Sequence, residues 1–137
     1  MITVYCDGAC EPINPGGVPA WGYVVYADDC WTHEANGIRN VPEGTNNIAE
    51  YAAVIEALGY LAGMGLTRDL VEIRTDSRLI VNQCNGYWGV HTDHLELLLN
   101  EVRDLERRFM RVRYCWIPRE QNELADLLSK AAYAEVM

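Results

Sequence analysis

The sequence predicts an α/β fold built on a mixed five-stranded sheet, three antiparallel strands then two parallel ones, with helices on both faces. Three observations predict it. β-rich runs and runs with a 3.6-residue period follow one another in the order β-β-β-α-β-α-α-β-α. The first three strands are joined without a helix, which favours antiparallel neighbours. The last two are each reached through helices, which favours parallel, right-handed crossovers. Half of the 137 residues are hydrophobic, enough for one core without disulfide or metal staples. Residues 1–137 are expected to form a single domain.

Each element has a local reason. Residues 2–7 alternate, with Ile2, Val4 and Cys6 on one face and Thr3, Tyr5 and Asp7 on the other, the period of a strand. The Pro- and Gly-rich stretch 11–19 is a loop. Residues 20–28 and 31–39 form the next two strands, joined by a tight turn near Asp28-Asp29. A helix is expected from Asn47 to Gly63, with Ile48, Tyr51, Ala52, Ile55, Leu58 and Ala62 as its apolar stripe and Gly63 and Gly65 ending it. Residues 70–75 are a fourth strand. A short helix spans Ser77 to Cys84, with Ser77 as its cap. A second long helix spans His94 to Phe109, lined by Leu95, Leu98, Leu99, Val102, Leu105 and Phe109, with Asp93 and Glu96 spaced as a capping box. Residues 111–117 are the fifth strand. From Glu120 a final helix carries Leu124, Leu127, Leu128 and Ala131.

No apolar run reaches the roughly 18–20 residues of a membrane span. The opening Met1-Ile2-Thr3-Val4-Tyr5 lacks the basic region of a signal peptide, so a soluble, cytoplasmic protein is expected, and a monomer. Five cysteines at irregular spacing, with no CxxC pair, argue against a disulfide framework. His91 and His94 read as a surface pair, and Tyr87 and Trp88 as sealing the core. The net charge of −9 is unusual for a nucleic-acid binder, which ordinarily neutralises phosphates with basic residues. Ten of the eleven basic residues are arginine, the residue suited to bidentate phosphate contacts. The densest group, Arg103, Arg107, Arg108, Arg111 and Arg113, reads first as a helix C-terminus interaction.

Four acids stand out by position. Asp7 ends the first strand, Asp76 ends the fourth, Glu50 lies in the first turn of the first long helix, and Asp126 lies in the last helix. If the first and fourth strands are neighbours, Asp7 and Asp76 lie side by side where strand order reverses, the usual ligand position in such sheets. Clustered carboxylates ionise together only with cations between them, and hard divalent cations take oxygen ligands. Singly, each acid also has an ordinary explanation. Glu50 closes a capping box with Asn47, Asp76 caps a strand-to-helix turn, and Asp126 is a solvated acid opposite the Leu124/Leu127/Leu128 stripe. Asp7 resists such an account, because an acid within a strand is unusual.

Four motifs carry a resemblance. Cys6-Asp7-Gly8-Ala9-Cys10 with Asn14-Pro15-Gly16-Gly17, Thr45-Asn46-Asn47-Ile48-Ala49-Glu50-Tyr51, Thr75-Asp76-Ser77, and the run Trp116 to Asp126 occur in order and cover nearly the whole chain. Together they resemble type 1 ribonucleases H, in their shorter single-domain branch. The resemblance implies a ribonuclease H-like fold and an endonuclease that hydrolyses the RNA strand of RNA–DNA hybrids. It implies two Mg²⁺ or Mn²⁺ ions, and 5′-phosphate and 3′-hydroxyl products. Asp7, Glu50, Asp76 and Asp126 are then the metal-binding, catalytic acids. Gly8, Ala9, Cys10, Asn14, Thr45, Asn46, Asn47, Arg78 and Arg119 are the substrate-binding group. Contacts to ribose 2′-hydroxyls distinguish RNA from DNA, and Thr45 and Asn14 match positions that hold a DNA phosphate.

The chain departs from this family in two places. The loop before the last helix, Pro118-Arg119-Glu120-Gln121, has no histidine; Arg119 or Glu120 is the expected substitute, with Arg119 favoured through its charge. The segment Asn85 to His91 replaces a basic protrusion and carries no lysine or arginine. A related nuclease acting on DNA junctions, and a non-catalytic binding module, are the alternatives that the residues leave open.

Overall fold

The computed structural model describes residues 1–136. Five strands, β1 (Ile2–Glu11), β2 (Val18–Ala27), β3 (Cys30–Ile38), β4 (Leu70–Thr75) and β5 (Arg111–Trp116), form one sheet in the order β3-β2-β1-β4-β5. β1 pairs antiparallel with β2 and parallel with β4, and β4 pairs parallel with β5. The expected mixed sheet is therefore present. Its β2–β3 turn holds Asp28 and Asp29 at φ of 49° and 68°, the backbone a two-residue hairpin turn requires.

β1 is longer than its alternation suggested. Its ladder with β2 continues to Glu11↔Val18, whereas its ladder with β4 stops at Tyr5↔Arg74. Asp7 is thus inside the strand, not at its end, yet just past the last rung shared with β4. The sheet's central strand carries one acid exactly where one neighbour has ended and the other has not.

The helices are α1 (Asn46–Gly63), α2 (Arg78–Cys84), α3 (Asp93–Glu106) and α4 (Glu123–Glu135), with a single 3₁₀ turn at Arg119–Gln121 before α4. Thr45 caps α1, its hydroxyl accepting from the Ile48 N–H at 3.2 Å, so Asn47 and Glu50 do not form the expected capping box. Asp93 and Glu96 do not cap α3 either. Thr92 holds the cap position without a side-chain bond, and α3 stops at Glu106, leaving Phe109 buried in the turn beyond it. Ser77 caps α2 as expected. Among the described residues no helix is long and apolar enough to cross a membrane.

α1 lies on the Ile2/Val4/Cys6 face of the sheet, and α3 packs on α1, so α1 is buried nearly all round. α4 covers the other face, over β1, β2 and β3. It does so with Ala125, Ser129 and Ala132, not with leucines. Leu124 and Leu127 are exposed and Leu128 is only half-buried, which overturns the expected stripe. Gly22 gives the reason. A Cβ there would lie 2.7–2.8 Å from Ala125 O, Leu128 Cβ and Ser129 N, so the strand gives up its side chain and the helix, with only the first carbon of Leu128, sits directly on strand backbone. Tyr87 and Trp88 are likewise exposed and seal nothing.

Candidate active site

The site begins at Asp7. Its register partner on β2 is Gly22, the seat of α4. Its chain neighbour Gly8 is the seat of α1, because a Cβ on Gly8 would overlap the backbone of Ala49 and Glu50. Two glycines beside one acid let two helices close on it from opposite faces, one bringing Glu50 and the other Asp126. Asp76 follows the last residue of β4, and continuing the β1–β4 register sets it opposite Asp7. All four acids line one open basin of about 440 Å³.

Asp76 is held at two points. The amide of Asn122, a buried residue at the start of α4, donates to Asp76 Oδ1 at 2.9 Å and to Cys6 O at 2.8 Å. Both partners are acceptors, which fixes the amide orientation. Its Oδ1 is left buried without a partner among the described residues. The indole N–H of Trp116 donates to Asp76 O at 3.1 Å. Asp126 pairs with Lys130 one turn along α4, at 3.0 Å.

Burial pushes the Asp7 carboxyl up to about 8. The nearby Asp76 adds to this, and the Gly8 N–H, donating at 2.9 Å, partly offsets it. Burial also pushes Glu50 up to about 7, with the Ser77 hydroxyl opposing and Asp76 reinforcing the rise. Burial that raises two carboxyls in one basin, with the oxygens of Asp76 and Asp126 beside them, fits a site for a hard cation, which would favour their ionised forms. Among the described residues no three acid, histidine or cysteine side chains already converge into an ion cage.

The substrate-side residues divide into two groups. Gly8, Ala9, Cys10, Asn14, Asn46 and Arg119 line the basin with the acids. Asn46 ties two of these segments together: its Oδ1 accepts from Cys10 N at 2.8 Å, and its N–H donates to Asn14 Oδ1 at 3.1 Å. Cys10 is buried. Thr45 lies away from the basin, lining an apolar groove with Pro42, Ile48 and Leu97, and Asn47 lines neither. Arg78 stacks on Trp116 outside the basin. Of the arginine group, Arg103 pairs with Glu106 and donates to Cys84 O at 2.8 Å, closing the C-terminal end of α2. Arg107 pairs with Asp104 and Arg113 with Glu72, so that group is largely spent internally. Sequence reasoning missed Asn122, Lys130 and Trp116. The spacing of Asn122 and Lys130, four residues either side of Asp126, places all three on one helical face and was the available signal.

Comparison with known proteins follows from this geometry. A sequence profile of the family described as reverse transcriptase-like covers residues 20–132. The bifunctional protein Rv2228c of Mycobacterium tuberculosis is 36% identical over 133 residues, 96% of this chain, and the chain spans only 35% of that relative's length. The crystal structure of RNase H1 from the halophilic archaeon Halobacterium salinarum NRC-1 superimposes with a TM-score of 0.87 at 33% identity, covering 98% of each chain. LC11-RNase H1, solved in complex with an RNA/DNA hybrid, superimposes with a TM-score of 0.90 at 32% identity, covering 99% of each.

Proposed function

We propose that this chain, which belongs to the ribonuclease H family of reverse transcriptase-like domains, is an endonuclease that hydrolyses the RNA strand of RNA–DNA hybrids. Two divalent ions, Mg²⁺ or Mn²⁺, assist, and the products carry 5′-phosphate and 3′-hydroxyl ends. The observation that carries the proposal is the convergence of Asp7, Glu50, Asp76 and Asp126 on one basin, where burial raises the carboxyls of Asp7 and Glu50.

The four carboxylates would hold the ions. When bound, such a pair supplies an activated water and stabilises the leaving oxygen of a phosphodiester. The chain's own residues do the rest. Asn122 fixes the Asp76 carboxylate, and Lys130, which also lines the basin, restrains Asp126. The Asn14–Asn46–Cys10 chain of hydrogen bonds stiffens one wall of the basin, where backbone and amide groups suit ribose 2′-hydroxyls. Arg119, in the 3₁₀ turn, lines the basin and would bring a positive charge to the scissile phosphate.

The test is cleavage of an end-labelled RNA–DNA hybrid beside RNA–RNA, DNA–DNA and single-stranded RNA, in Mg²⁺, Mn²⁺ or EDTA. We expect metal-dependent cutting of the hybrid. Asp7→Asn should reduce it by at least about a hundredfold, since metal-borne charge stabilisation amounts to several kcal/mol. Arg119→Ala should lower turnover, and full turnover at unchanged affinity would remove Arg119 from the mechanism. A hybrid left intact with either metal at low salt overturns the proposal.

A further inference from the structure

An acidic chain that grips a polyanion must aim the few cations it can spare. Of the eleven basic residues, Arg39, Arg74, Arg103, Arg107, Arg113 and Lys130 are held in ion pairs with carboxylates. Arg68, Arg78, Arg108, Arg111 and Arg119 make no ion pair among the described residues. Arg119 lines the basin. Arg78 stands two residues past Asp76, exposed, and its guanidinium lies 4.0 Å from the centroid of the Trp116 ring. The same indole donates its N–H to Asp76 O. One aromatic side chain therefore touches both a basin acid and an uncommitted cation.

An arginine side chain in water samples many rotamers, and holding it in one position for a ligand costs conformational entropy. Stacking on an indole removes much of that freedom before the ligand arrives, and adds a cation–π attraction. It leaves the edges of the guanidinium, where its donors lie, free to form the bidentate pair that a phosphate accepts. Trp116 itself is 40% exposed, an unusual position for a tryptophan that only fills a core.

We infer that Trp116 is a positioning residue that presents Arg78 to a backbone phosphate of the bound nucleic acid, beside the Asp76 edge of the basin. This rests on the hybrid being the ligand, but not on the hybrid being cut. The contact is to phosphate and reads no base. Loss of Arg78 or of its platform weakens binding similarly on every sequence, and it removes one phosphate contact from the salt dependence.

The experiment measures the affinity of a short fluorescein-labelled RNA–DNA hybrid by anisotropy in EDTA across a salt series, so that nothing is cut. Steady-state cleavage in Mg²⁺ follows. Arg78→Ala should flatten the slope of log K against log salt by about 0.9. Trp116→Ala should weaken low-salt binding roughly two- to fivefold, the range of an exposed cation–π contact. In the Arg78→Ala background the same substitution should change binding by less than twofold, because the platform has nothing left to hold. Trp116→Phe keeps a ring and should recover part of the affinity. In cleavage these effects should fall on KM, while any kcat loss from the missing indole N–H on Asp76 persists in the double variant. The inference is overturned by an unchanged salt slope in Arg78→Ala, or by Trp116→Ala and Arg78→Ala effects that multiply. Binding that behaves as expected without cleavage would sink the nuclease activity and leave this inference standing.

Discussion

α1 and α4 reach the same acid from opposite faces of the sheet, yet they are built on different rules. α1 is an ordinary core helix, with Tyr51, Val54, Leu58 and Leu61 fully buried, and it can be recognised from its apolar period. α4 turns small residues to the sheet and its leucines to water. Greasy side chains hold α1 in place. Backbone proximity over Gly22 holds α4, and only that closeness brings Asp126 and Asn122 to the basin. Where a helix must deliver a polar group to a site beside a strand, short distance outranks apolar area.

The sharpest break of this contrast is Leu58→Ala. It should cost about 2–5 kcal/mol of unfolding free energy in a denaturant titration, as truncation in a closed core does. Loss of less than about 1 kcal/mol would mean that α1 is not the anchor described. Gly22→Ala attacks the other helix. It should cost about 1–3 kcal/mol by overpacking, and it should lower cleavage more than Leu58→Ala does when the two are compared at temperatures where both are fully folded. Equal activities would separate the seat of α4 from the site.

Protonation gives a third, smaller effect. In the folded chain Asp7 and Glu50 sit well above the ordinary carboxylate range of about 4. Their neutral forms therefore favour the fold. That contribution is complete below about pH 4 and drains as pH rises through about 7 for Glu50 and about 8 for Asp7. Glu72, lowered despite its burial by Arg74 and Arg113, acts in the opposite sense but only in acid. In EDTA, Tm should fall by roughly 5 °C between about pH 5.5 and 8.5, and Asp7→Asn should remove most of that fall. A flat profile would show that the two acids are solvated. Last, Leu127→Ser, on the outward face of α4, should change stability by no more than about 0.5 kcal/mol. A loss the size of that for Leu58 would restore the leucine stripe as the packing face.

The succession of elements and the four acids could be foreseen because they rest on period and on motif. Strand alternation places Asp7 on the face opposite Val4 and Cys6, whereas the pairing of β1 with β4, a condition in the sequence, is seen only in the structure. What the sequence hid depends on contacts between distant segments. The run of Asp7 through Glu11 looked like strand end and loop, because only pairing with β2 extends it. The leucines of α4 mimic a core stripe, and nothing local reveals that Gly22, a hundred residues earlier, forbids them. Asn122 looked like an ordinary residue at a helix start. Its two long-range acceptors, Cys6 O and Asp76, make it part of the site.

The placement of Asn122 and Asp126 also bears on how the molecule is made. Asn122 caps α4 and Asp126 lies in its first turns; Asn122 bonds to Cys6 in β1 and to Asp76 just past β4, and Asp126 stands beside Asp7 in β1. Such high-separation contacts form late and slowly. During synthesis Asp7, Glu50 and Asp76 emerge before α4, and the basin stays short of a wall until α4 docks. A chain with its sheet and α1 in place but α4 undocked would therefore lack the basin altogether.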